Sequence, residues 1–340
     1  MPESSRVPQL MLDERKAAIL RAIVEEYIQT AQPVGSSHVV SATKVQVSSA
    51  TIRNDMVALE RDGYLQQPHT SAGRVPTEKG YRFFVDHLGR PGLGEGEVLT
   101  VHAFFERTHN RLEELLADTS RLLANLTSYT AVVIGDPVDA ASIRSVHLAA
   151  LDPLTVVEVL VLSNGSVDKR VVELDEVTDE DRVRTAEGLL SAALVGATVA
   201  RPGPVPPSGD RLVEALTAKA LAAFEEPASD TSLYVGGAAQ ITTAFNAIET
   251  VRAVLSVLEE QFVVVTLLRD ILDRGLNVAI GTETGVAPLA ECSLVVAPYL
   301  IDGQAAGSIG VLGPTRMNYP QALAAVAVVS NQLGDRLSKG

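Results

Sequence analysis

Over residues 1–90 the apolar positions recur with a helical period. Leu12, Ala17, Leu20, Ile23, Val24 and Ile28 fall at helical spacing, which predicts an amphipathic helix over Leu12–Thr30. Pro33 and Gly35 end it, and Ser36–Thr43 reads as a short second helix. After a turn at Lys44–Val47, a third helix opens at Ser48 or Ser49, either of which can cap its free backbone N–H groups. Ile52, Met56 and Leu59 lie at i, i+4 and i+7, one stripe that must face a core, and Gly63 supplies the left-handed residue that stops the helix. A short strand and a polar hairpin tip between Pro68 and Gly73 follow, carrying His69, Ser71 and, just beyond it, Arg74.

The pattern then changes. Gly89–Glu97, GRPGLGEGE, reads as a linker. A long helical period runs over Val98–Leu126, and strand patterns follow at Ala131–Gly135, Ile143–Leu151, Val156–Leu162 and Val167–Leu174. Asp152-Pro153 and Asn164-Gly165 separate the last three, and Asn-Gly is a strong hairpin signal. A middle block predicts helices at Asp179–Ala200, Asp210–Phe224, Ile248–Leu258 and Gln261–Leu272, interrupted by the irregular PGPVPPSG and a candidate strand at Leu233–Ile241. Strands at Asn277–Gly281, Ser293–Leu300 and Gly307–Leu312 precede a closing helix, Pro320–Leu337. The expected fold class is α+β and multidomain, with a sheet-and-helix sandwich in the C-terminal part. The apolar faces at Leu189, Leu190, Ala193, Leu194, Leu212, Leu216 and Leu221 need partners, either in a second subunit or in the core of the same one.

The N-terminal order is helix, break, short helix, turn, longer helix, hairpin. It is the order of a winged helix-turn-helix and makes double-stranded DNA the first partner to consider. Opposite the apolar stripe of the third helix lie Ala50 and Asn54, flanked by Thr51 and Arg53. Small residues let a backbone approach a groove, Arg can bond guanine N7 and O6, and Asn can bond adenine N6 and N7. Ser36, Ser37, Ser48 and Ser49 stand at helix starts, where hydroxyl and backbone N–H groups can hold phosphate. His69, Ser71 and Arg74 belong to the wing, from which Arg74 could enter a minor groove. The alternative is a three-helix module that uses this polar face for protein contacts.

The segments ATIRNDM, GYLQQPHTSAGRVPT and KGYR, in this order, resemble the N-terminal part of the HrcA family, heat-inducible transcription repressors of bacteria. GSIGVLGPTRMNY at Gly307–Tyr319 is similar to the C-terminal signature of that family, and YVGGAAQI and ECSLVVAPY match more weakly between them. Two positions depart from the family pattern: Ser49 replaces a frequent proline, and Thr284 in GTETG replaces the usual asparagine. The resemblance implies three domains: a winged helix-turn-helix over 1–90, a GAF-like domain from 97–178 and 273–340, and an inserted dimerising α+β domain at 179–272. It also implies a homodimer on an inverted-repeat operator upstream of chaperonin operons, with the chaperonin GroEL promoting the active fold.

Charge bears on this expectation. The chain carries a net −14, yet residues 1–90 hold 11 Lys+Arg against 10 Asp+Glu and the remainder 17 against 32. The acidic load therefore lies outside the reading head, but a head at +1 has little nonspecific affinity for DNA. Two heads on one dimer compensate through effective concentration. Cys292 is the only cysteine, lies in an apolar run and excludes an intramolecular disulfide framework. No leader pattern and no apolar run near the ~18 residues of a membrane span is found, so a cytoplasmic, non-membrane protein is expected. No phosphate loop, HExxH, CxxC or GxSxG is present and the six histidines are scattered, so neither an enzyme, a metal site nor a cofactor is expected. A second function class stays open: a small-molecule-responsive transcription factor that senses its ligand in the GAF-type domain.

Overall fold

The computed structural model describes residues 12–42, 48–69, 73–89, 91–107, 112–135, 142–162, 167–197, 203–223, 233–245, 247–301 and 303–339. The turn expected at Lys44–Val47, Ser71 at the hairpin tip and the Asn164-Gly165 turn lie outside them. The chain is mixed α+β with three sheets among the described residues. It opens with α1 (Glu14–Thr30), α2 (Ser36–Ala42), α3 (Ser49–Arg61), β1 (Leu65–Gln66), β2 (Val75–Pro76) and α4 (Glu78–Asp86). There follow α5 (Glu95–Phe105), α6 (Leu112–Thr127), β3 (Thr130–Ile134), β4 (Ile143–Asp152), β5 (Thr155–Leu162), β6 (Val167–Glu173), α7 (Glu180–Leu194) and α8 (Arg211–Ala222). The chain closes with β7 (Leu233–Gly236), α9 (Ile241–Ala244), α10 (Ile248–Glu259), α11 (Gln261–Asp273), β8 (Val278–Ile280), β9 (Cys292–Ile301), β10 (Gln304–Pro314) and α12 (Tyr319–Lys339).

These elements fall into two compact units. The first joins residues 1–92 to 278–294 and 313–323; the second holds the rest. In the first unit, Ile19, Leu20, Ile23 and Val24 of α1 and Ile52, Met56 and Leu59 of α3 are buried, as the helical stripes require. Asp13 caps α1 by accepting from the Lys16 N–H at 2.8 Å, and Gly63 turns the chain after α3 with φ of 81°. Strands β1 and β2 pair antiparallel, Leu65 opposite Pro76 and Gln66 opposite Val75.

Strand β3 lies between β7 and β10, antiparallel to both, and the five-stranded sheet runs in the order β7-β3-β10-β9-β8. Strands β4, β5 and β6 do not join it. They form an antiparallel sheet of their own in simple hairpin order. Its inner face, Val146, Leu148, Val156, Leu160 and Val172, shares one core with Val183, Ala186, Leu190 and Leu194 of α7 and Val213, Leu216 and Ala220 of α8. Residues on both sides of position 178 therefore share a single core. The apolar helix faces at Leu190, Leu194 and Leu216 are covered by this sheet within the same chain. A strand's alternation shows that it has a buried face and not which sheet receives it. Likewise, the helical period over 98–126 covers two helices, α5 and α6, because the polar run between them mimics a solvated helix face.

Three charged residues, Glu158, Arg170 and Asp168, interrupt the inner face. Glu158 on the central strand is fully buried, and neither carboxylate oxygen has a hydrogen-bond partner among the described residues. Arg170 lies directly opposite on β6, but its Nε donates to Asp168 at 2.8 Å. Burial pushes the Glu158 carboxyl up to about 7; the Arg170 charge opposes this and Asp168 reinforces it. The folded state therefore holds a proton that the unfolded chain releases, and stability falls as pH rises from the ordinary carboxyl range to about 7. The loss should total roughly 3 kcal/mol. Glu158→Gln should remove that slope and raise stability at about pH 8, read from urea unfolding as a function of pH. An unchanged slope in the folded variant would show that another group titrates.

Candidate nucleic-acid interface

The third helix is built from its cap upward. Ser48 is extended, and its Oγ accepts from the Thr51 N–H at 3.2 Å, satisfying one free donor at the start of α3. The same Oγ lies 3.0 Å from Thr51 Oγ1, and Ser36 Oγ lies 3.1 Å from Ser49 Oγ. These contacts bring Ser36, Ser48, Ser49 and Thr51 together where α2 and α3 begin. Ser37, exposed on the first turn of α2, accepts from Ser41 Oγ through its carbonyl.

The inner side of α3 is held by ion pairs as well as by its stripe. Asp55 is buried and takes Arg15 of α1 on both oxygens, at 2.8 and 3.2 Å. Arg74 donates to Glu60 at 2.9 Å, with its side chain only 15% exposed. Arg74 also exchanges two backbone hydrogen bonds of 2.9 Å with Val34, so the residue after the hairpin tip pairs with the chain entering α2. Gly73 is required for that approach, because a Cβ there would strike the Val34 carbonyl and the backbone of Pro33. Both pairings escape a local reading, since neither partner is near in sequence.

On the outer side, Ala50, Arg53 and Asn54 are exposed. Arg61, the other cation on α3, pairs with Asp62 at 3.3 Å. Arg53 and Asn54 have no side-chain partner among the described residues. Val57, 50% exposed one turn further, extends the same face with a group that can meet a thymine methyl. Its spacing from Ala50 and Asn54, seven and three residues, is the sequence signal that places Val57 on this face, and it was not among the expected site residues. His69 is exposed beyond β1, and Ser71 lies outside the described residues.

Behind α3, α4 is capped twice. Thr77 accepts from the Gly80 N–H at 3.2 Å, and Thr77 Oγ1 donates to the Gly63 carbonyl at 2.7 Å. Glu78 receives the Thr282 N–H at 3.1 Å and the Thr282 hydroxyl at 2.6 Å. One turn on, Arg82 forms a fork with Glu283 and donates to the Val278 carbonyl at 2.8 Å. The GTETG segment is thus a tight turn seated on α4. Thr284 within it is buried and bonds the Gly281 carbonyl at 2.9 Å. Cys292 is fully buried, and burial pushes its thiol up to about 12, which removes it from thiolate chemistry.

Residues 113–323 match the family described as HrcA protein C terminal domain. The chain is 39% identical over 341 residues to a protein of Nocardia farcinica named heat-inducible transcription repressor HrcA, covering 96% of this chain and 97% of that one. This chain belongs to the HrcA family. Further relatives of that name are 40% identical in Rhodococcus jostii and 39% in Thermobifida fusca, each covering 96% of this chain and at least 98% of the relative. A solved structure titled as that of a hypothetical protein at 2.2 Å resolution shares the fold, with a TM-score of 0.62 at 24% identity over 97% of this chain and 99% of that one. Among the described residues no helix is long and apolar enough to cross a membrane.

The Arg74–Glu60 contact makes a prediction separable from DNA binding. In a double-mutant cycle, Arg74→Ala and Glu60→Ala should be non-additive by about 1 kcal/mol in unfolding free energy. Additive losses would mean that the pair is not formed in solution and that Arg74 is free to reach a ligand.

Proposed function

We propose that the chain is a DNA-binding transcription repressor of heat-shock genes whose reading head is a winged helix-turn-helix. The observation that carries this reading is the outer face of α3: Arg53 and Asn54, exposed and without a side-chain partner among the described residues, above an anchored inner face, in a member of the HrcA family. In this reading α3 enters the major groove of double-stranded DNA. Arg53 and Asn54 bond base edges, and Val57 touches a thymine methyl. Ser36, Ser37, Ser48, Ser49 and Thr51 meet phosphates around the starts of α2 and α3. His69, Ser71 and Arg74 complete the wing; Arg74, tied to Glu60, fixes its direction. Each lost base contact should cost about 1–3 kcal/mol of discrimination. Folded Arg53→Ala and Asn54→Ala variants should therefore lose operator preference over random DNA in anisotropy titrations. Full selectivity in the double variant would remove α3 as the reading element.

The reading includes a homodimer on an inverted repeat. Its support is the outer face of the β4-β5-β6 sheet, where Val157, Val159, Val161, Val167 and Val171 line up in register. Val167 is 51% and Val171 64% exposed, and an apolar sheet face of this kind is normally covered. A second copy covers it by two-fold symmetry, and two weakly basic heads then bind as one. Val171→Glu should give a monomer in sedimentation and lower operator affinity while the fold survives; a variant that stays dimeric would place the interface elsewhere. The remaining parts of the reading are a GAF-like fold around the five-stranded sheet, a cytoplasmic location and support of the active state by the chaperonin GroEL. For the last, adding GroEL and ATP to purified protein should raise the fraction that binds operator.

A further inference from the structure

At the end of α11 the second unit has a half-open cavity of about 440 Å³, within the usual size of small-molecule sites. Its walls are mainly apolar, with Ile134, Leu272 and Pro298 among them. Its polar groups are few, as a specific site requires. Ser308 is only 5% exposed and lines the cavity, and its hydroxyl has no hydrogen-bond partner among the described residues. Arg269 and Asp273 stand one helical turn apart on α11 and both line the opening.

Those two charges are the informative part. The neighbouring pair at the same spacing, Asp270 and Arg274, closes at 2.8 Å. Arg269 and Asp273 make no ion pair, and neither has another side-chain partner among the described residues. Their order, base before acid along the helix, is the less favourable one. Asp273 is moreover the last residue of α11, where a carboxylate faces the negative end of the helix dipole. Both charges remain available to groups outside the helix: a cation for an anion, and an anion for a cation, about one turn apart and beside an apolar wall.

We propose that this cavity binds a free α-amino acid with an apolar side chain. Its carboxylate meets the Arg269 guanidinium, its ammonium group meets Asp273, and its side chain lies against Ile134, Leu272 and Pro298 above the Ser308 hydroxyl. A monocarboxylate or a monoamine satisfies only one of the two charges and leaves the other without a partner. Binding at this site does not require DNA, so it stands or falls separately from the repressor reading.

The test is calorimetric titration of the full chain with L-leucine and L-phenylalanine, beside 4-methylpentanoate and 3-phenylpropanoate, which lack the ammonium group, and 3-methylbutylamine and 2-phenylethylamine, which lack the carboxylate. The amino acids should bind at least about tenfold more tightly than either kind of analogue. Arg269→Gln and Asp273→Asn should each weaken them by about tenfold or more with an unchanged unfolding midpoint, since both side chains are exposed. The proposal is overturned if neither amino acid gives a saturable signal, whether the cavity is too open or is filled by the chain itself. It is overturned equally if single-charge analogues bind as well, or if both folded variants bind like the parent.

Discussion

The first unit depends on the seat that residues 278–294 make for α4. Arg82 and Glu283 are separated by 201 positions and meet as a guanidinium–carboxylate fork. Glu78, one turn earlier, takes both donors of Thr282. Gly281 is the residue that permits this: its φ is 55°, and a Cβ would displace the Glu78 carboxylate. Beside the fork, the Tyr81 and Tyr319 rings pack with centroids 5.9 Å apart, and Tyr319 bonds the Thr315 carbonyl at 2.6 Å and Ser293 at 2.8 Å. Three distant stretches of chain thus share one compact unit.

The same logic of partnered charge runs forward to α3. Arg15 holds Asp55, and Arg74 holds Glu60. These pairs anchor the helix from its inner side and from the side of the hairpin. Ion pairs that are partly buried and bidentate set orientation more than they add stability. Among the described residues, Arg53 and Asn54 on the outer face remain without a side-chain partner, two groups suited to base edges. In the proposed DNA-binding role, a head with a net charge of +1 relies on such placement, because it has little general attraction to phosphate.

Much of this was legible in the sequence wherever the information is local. The stripes Leu20–Ile23–Val24 and Ile52–Met56–Leu59, the Ser48 cap and the stop at Gly63 follow from spacing and residue type. Apart from β7, which ends at Gly236 and so five residues before the expected Ile241, the strands from β3 to β10 lie within three residues of their expected ends. Legibility failed where partners are chosen at a distance. Alternation along β4, β5 and β6 shows a buried face, and only the packing of α7 and α8 reveals what buries it. Arg74 read as a free wing cation because Glu60, 14 residues away, looks like any solvated helix acid. Glu158 was not singled out, because a carboxylate in an alternating strand is normally at the surface; its position falls on the inner register with Val156 and Leu160. The Thr284 departure in GTETG is absorbed by a buried hydroxyl bonded within the turn.

Hydrogen exchange on the full chain, wild type against Glu283→Ala, tests most directly whether the α4 seat organises this unit. Loss of the fork should raise exchange in α4 and in residues 278–294 together, by about tenfold or more, while the β4-β5-β6 sheet and its helices keep their protection. Faster exchange confined to 278–294, with α4 unchanged, would contradict the account, because the helix would then hold its place without the seat.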